Sequence, residues 1–145
     1  MAFKILYGGR ARPGFPVSST YSASTEWEAG DILTIDATAG TLKKADSTTK
    51  GLVGLALEYR REVTGTDYSV DQTYASGKGS MVVDPAVIET DRVESGVTFT
   101  PMQRLYISTN GKLTNVAGDM VVGVCISGLD SENKITALWN PEYVT

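Results

Sequence analysis

The sequence predicts an all-β fold in a single small domain, on three observations. Apolar residues alternate with polar or small ones at period two across residues 104–139. Tight-turn signals at Asn110-Gly111 and Gly118-Asp119 cut that alternation into short antiparallel strands. No stretch carries a helical period of useful length. The best candidates, 45–50 and 85–91, are short, and the second is β-branched and reads better as a strand. One helical turn is the most that is expected. A length of 145 residues suits one domain and suffices for an ordinary core.

Taken in order, residues 1–25 read as an extended N-terminal arm and 26–145 as a β-barrel-like body. Gly8-Gly9, Pro13-Gly14, Pro16 and the Ser/Thr-rich run 18–25 deny the arm regular hydrogen-bond ladders, so it is expected to be extended or loop-like. It also carries Phe3, Ile5, Leu6, Tyr7, Phe15, Val17 and Tyr21, more apolar and aromatic residues than a flexible linker holds, which predicts that it lies along a surface. Deleting residues 2–20 is then expected to leave the body folded.

The body opens with a strand over 30–36, a turn at Ala39-Gly40, a short Leu-centred strand over 41–43 and a Gly-rich apolar strand over 51–58. A polar irregular stretch, 59–79, follows; loops of this length tend to be functional or disordered. Residues 79–84 and 86–93 read as two further strands parted by Asp84-Pro85, and 97–103 as a connector, for about eight strands in all. Residues 104–139 then repeat the opening outline. Leu33 to Leu105 and Ile35 to Ile107 are 72 apart, Gly40 to Gly111 and Leu42 to Leu113 are 71, and Gly54 to Gly123 is 69. A nearly constant offset predicts two copies of one supersecondary unit.

Composition narrows the chemistry. Hydrophobic content of 41% with 21% charged residues is ordinary for a globular protein, and no apolar run approaches the roughly 20 residues of a membrane helix. The N-terminus lacks the apolar core and cleavage site of a signal peptide. Net charge is −4, unevenly spread: residues 1–25 hold Lys4, Arg10 and Arg12 with no carboxylate, leaving ten basic and 17 acidic residues in 26–145, a net of −7. An acidic body argues against nucleic acid as the main ligand, and the basic arm suits an acidic protein surface.

Histidine is absent, which removes Ser-His and Cys-His nucleophile pairs and the commonest metal ligand. The lone cysteine, Cys125, excludes an intramolecular disulfide and reads as a small buried hydrophobe. Gly77-Lys78 lacks the spacing of a P-loop, and 67–71 lacks the ligands and glycine of an EF-hand. The densest carboxylate run is Asp84, Glu89, Asp91 and Glu94, with Glu89 and Asp91 on one strand face. A solvated strand face explains them; a carboxylate hydrolase on Asp84, Glu89 and Asp91 is the enzymatic alternative. No metal site and no cofactor is expected. Tyr7, Tyr21, Tyr59, Tyr68, Tyr74 and Tyr143 lie off the predicted strands, and Trp27 precedes the first, as on a recognition surface.

The blocks Glu28-Ala-Gly-Asp-Ile-Leu33, Gly51-Leu-Val-Gly-Leu-Ala-Leu57, Val83-Asp-Pro-Ala-Val-Ile-Glu-Thr-Asp91 and Arg104-Leu-Tyr-Ile-Ser, with Gly111-Lys-Leu-Thr and Val122-Gly-Val-Cys-Ile126, resemble tailed-phage capsid decoration (cement) proteins. The resemblance covers most of 26–139 and is one of glycine and apolar spacing. It implies a small β-barrel or β-tulip-like body, a homotrimer, made in the host cytoplasm and placed on the outside of an icosahedral head, where it holds major capsid protein subunits together without enzymatic activity. An N-terminal arm that reaches across the capsid is compatible with this chain. Phe3, Ile5, Tyr7, Arg10, Arg12 and Phe15 are then expected to face the capsid, with Trp27 and Tyr59 near that face or the seam between copies. The alternative is a tail, baseplate or fibre module that binds a host-surface glycan or another virion protein.

Overall fold

A computed structural model describes residues 3–19, 21–60 and 77–142. Its strands are β1 (Phe3–Gly8), β2 (Ala11–Pro16), β3 (Ile32–Ile35), β4 (Leu42–Lys44), β5 (Val53–Ala56), β6 (Lys78–Val82), β7 (Ala86–Thr90), β8 (Arg104–Ile107), β9 (Leu113–Thr114), β10 (Val121–Ser127) and β11 (Ile135–Trp139). No helix occurs among the described residues. The fold is all-β, as the sequence predicts, with 45–50 a non-helical turn.

The strands form two antiparallel sheets, a six-stranded one ordered β1-β7-β11-β10-β8-β9 and a five-stranded one ordered β2-β6-β5-β3-β4. Neither closes into a barrel, which corrects the barrel expected from the sequence. Among the described residues, the two ends of the five-stranded sheet meet through a parallel bridge from Val17 to Leu42, and those of the β7-to-β9 run through one from Val93 to Leu113. The physical reason is strand length: β4 has three residues and β9 two, too few for a closing ladder.

The internal repeat is present and is larger than the sequence pattern indicates. Leu33 pairs with Gly54 and Ile35 with Leu42; in the second unit Leu105 pairs with Gly123 and Ile107 with Leu113. The same correspondence continues outward, since Ala56 pairs with Met81 as Cys125 does with Ala137, and Met81 pairs with Arg12 as Ala137 does with Ile88. Each unit is therefore five strands, β2 to β6 and β7 to β11, with β1 added to the outer edge of β7. Gly40 and Gly111 turn the chain at equivalent places with φ of 73° and 79°, a left-handed backbone that glycine adopts without a steric penalty.

Residues 3–16 depart from expectation. They form ladders: β1 pairs with β7 from Phe3 opposite Thr90 to Gly8 opposite Ala86, and β2 pairs with β6 from Ala11 opposite Val82 to Pro16 opposite Lys78. Both are edge strands, where a proline lacking an N–H leaves no ladder bond unmade, and the register breaks between Arg12 and Phe15, around Pro13-Gly14. Deletion of 2–20 would thus strip a strand from each sheet.

The main core joins Ile32, Val53, Leu55 and Val82 of the five-stranded sheet to Ile88, Leu105, Val122, Ile135 and Trp139 of the six-stranded sheet, with Phe3 and Ile5 packed at its margin. A second cluster, Trp27, Leu33, Leu42, Ala56 and Met81, fills the far face of the five-stranded sheet under Phe15 and Val17.

Three turns are tied by carboxylates. Asp36 Oδ1 accepts from the N–H groups of Ala39 and Thr38 at 2.8 and 2.9 Å; Asp46 Oδ1 accepts from the Thr48 hydroxyl and N–H at 2.7 and 2.9 Å; Asp130 Oδ1 accepts from the Glu132 and Lys134 N–H groups at 2.8 and 3.0 Å. These donors, the Ala39 N–H for Asp36, the Thr48 hydroxyl for Asp46 and the Lys134 N–H for Asp130, hold the carboxyls below their ordinary 3.8. A depressed folded-state pKa stabilises the fold above the unfolded value and loses that contribution as pH falls through the folded one. Urea midpoints should accordingly hold steady above about pH 5 and decline as pH falls through 3.8, and Asp46→Asn should flatten part of that decline.

Candidate binding surfaces

Arg60 is the most elaborately held polar side chain. It is 2% exposed, its backbone bridges Trp27 in both directions at 2.8 Å, and its guanidinium lies 4.3 Å from the centre of the Tyr21 ring and 5.7 Å from that of Trp27. Nη1 donates to the Thr25 carbonyl at 2.6 Å and Nη2 to the Ser18 carbonyl. One planar cation thus gathers residues 18–27 onto the end of the first unit, which a flexible ammonium could not do with the same geometry.

Beside it lies an open polar cleft of about 330 Å³ lined by Glu26, Trp27, Glu28, Asp31, Lys44, Arg60 and Arg92. Asp31, 1% exposed, accepts from Arg92 Nε at 2.8 Å through Oδ1 and from the Glu28 N–H at 2.9 Å through Oδ2. The cleft is built from internally compensated charge. Among the described residues no three His, Cys, Asp or Glu side chains converge as a metal site.

The residues expected to face a partner divide into two groups. Phe3 and Ile5 pack against the main core, Phe15 packs on the second cluster, Trp27 is 3% exposed within it, and Tyr59 is half-buried. Tyr7, 77% exposed, and the exposed Arg10 and Arg12 remain presented outward, with Arg12 Nη2 2.9 Å from Asp84 Oδ2. Tyr68, Tyr74 and Tyr143 lie outside the described residues. The carboxylate group does not assemble: Asp84 pairs with Arg12, and Glu89 accepts from Lys134 Nζ at 3.0 Å, a bond that also raises the lysine's pKa.

A surface that the sequence does not mark lies on the outer face of the six-stranded sheet. Val87, Val124, Ile126 and Leu138, with Pro101 and Met102, line an apolar depression of about 520 Å³. Met102 is 83% exposed and Ile126 46%. The period-two pattern could not reveal this face, because β10 reads Val-Val-Gly-Val-Cys-Ile-Ser, apolar on both sides. Compared with known proteins, the chain matches no protein-family model and no curated protein.

Proposed function

We propose that the protein is a non-enzymatic phage capsid decoration protein, a β-tulip-like body that binds the outer face of the major capsid protein lattice and stabilises the expanded head. The observation that carries this is the outward presentation of Arg10 and Arg12 where the chain crosses from the edge of one sheet to the edge of the other, on a body whose residues 26–145 sum to −7. Anchoring in both sheets makes that strip rigid, so little ordering entropy opposes contact with an acidic surface. Many copies on a symmetric lattice multiply a modest contact into high avidity.

Purified protein mixed with expanded, undecorated heads should bind stoichiometrically and raise their heat resistance; absence of binding would sink the proposal. Charge reversal is a cleaner probe of the strip than deletion. Arg10→Glu with Arg12→Glu should weaken head binding at least about tenfold, equivalent to about 1.4 kcal/mol in all, while the fold loses only the exposed Arg12–Asp84 pair. Undiminished binding would place the contact elsewhere.

A further inference from the structure

We infer that the outer face of the six-stranded sheet is an interface for a second copy of this chain, related by a two-fold axis along β11. One cross-strand row defines the face. Arg104 pairs with Val124, Val124 with Leu138, Leu138 with Val87, and Val87 with Tyr7, and directly paired residues of a ladder point to the same side. Val124, Leu138 and Val87 are half-buried, and Arg104 and Tyr7 at the two ends are exposed.

The internal repeat shows what this kind of face does in the same molecule. The pair equivalent to Val124 and Leu138 is Leu55 and Val82, and the residue equivalent to Arg104 is Ile32. All three are 0% exposed, buried against the second unit in the main core. In the first unit this face is covered by a sibling unit; in the second it keeps its apolar pair and is left open. The other face of the first unit, the one a head-to-tail contact would need, is already filled by Trp27, Phe15 and Val17. A filament-like head-to-tail contact is blocked, and the remaining arrangement is face to face.

The row is complementary to itself. About an axis beneath Leu138, Leu138 meets its own copy, Val124 meets Val87, and Arg104 meets Tyr7, a cation over an aromatic ring, at both ends of the seam. Strands β8 and β1 lie two positions to either side of β11, so the register is symmetric. Met102, held at a left-handed φ of 72° with its N–H on the Cys125 carbonyl at 2.8 Å, projects beside the row. An apolar face of this kind is uncommon on a protein that works alone. The two-fold departs from the trimer implied by the resemblance, and it assigns Tyr7 to the seam between copies and away from the capsid. It stands independently of capsid binding, which the head experiment tests.

Light scattering on the full chain across a concentration series should give twice the 15.5 kDa chain mass, and Leu138→Asp should return it to one. A second measurement does not depend on a core-adjacent change. Tyr7→Cys and Arg104→Cys, each made singly and then mixed, should be joined by a bismaleimide whose reach matches the roughly 10 Å between stacked sheets. Neither variant alone should cross-link, because like positions lie four strand spacings, about 19 Å, apart along the sheet in addition to the gap between sheets. A monomer at every concentration, a trimer, or a dimer insensitive to Leu138→Asp with no cross-link in the mixture would overturn the assignment.

Discussion

Arg60→Ala is expected to lower the stability of the fold by about 3 kcal/mol, the scale of losing a buried, multiply bonded charged side chain. The substitution removes the donors to the Thr25 and Ser18 carbonyls and leaves a space between Tyr21 and Trp27. Residues 18–27 then lose the group that fastens them, and Trp27 loses the cover over its ring. For a chain of this size the loss corresponds to a fall in Tm of about 10 °C. Arg60→Lys should recover only part of it, because an ammonium cannot reach both carbonyls while stacking on an aromatic ring. Thermal melts followed by tryptophan fluorescence test this, and a change below about 1 kcal/mol would mean that the guanidinium does not hold the segment.

Gly123→Ala should be severely damaging for a single added methyl group. A Cβ there would sit 2.2 Å from the Leu138 carbonyl oxygen, which is ladder backbone and cannot move without breaking the β10–β11 pairing. Its counterpart in the first unit, Gly54, would place a Cβ 2.6 Å from Met81 Sδ, 2.7 Å from Cγ and 3.0 Å from Cβ, a buried side chain that can give way only in part. The expected costs are about 3 kcal/mol or more at Gly123 and about 2 kcal/mol at Gly54. The comparison is read from urea midpoints of the two variants side by side. Equal costs would show that the two units do not differ in how their central strands are packed.

Local pattern made part of this structure legible. Leu33, Ile35, Leu105 and Ile107 alternate with polar neighbours, and Gly40 and Gly111 punctuate them, so both three-strand centres and their register follow from period two and turn chemistry. Strands β1 and β2, Arg60 and the open face were hidden for different reasons. Pro13, Gly14 and Pro16 argue against a ladder unless the strand is known to be an edge, and edge status depends on what pairs with β6. Arg60 lies in a polar stretch and gives no local sign of burial; its partners Ser18, Tyr21, Thr25 and Trp27 are more than thirty residues away in sequence. The open face was hidden too, since Val124 and Leu138 have the same apolar character as their buried counterparts Leu55 and Val82. Only packing distinguishes them.

The pairing of β1 with β7 and β2 with β6 also bears on how the chain reaches this state. Phe3 must wait for Thr90, and at 5–20 residues per second of synthesis that is roughly ten seconds. Throughout that interval Phe3 and Ile5 have no finished sheet to join, and Phe15 none until Gly79 is made, while the centre of the first unit, from Ile32 to Ala56, is complete and can form locally. Residues 3–16 are thus placed long after they are made. The N-terminal strands close the molecule as a seam, and a chain stalled before β7 would display the apolar side chains that the finished protein keeps against its core.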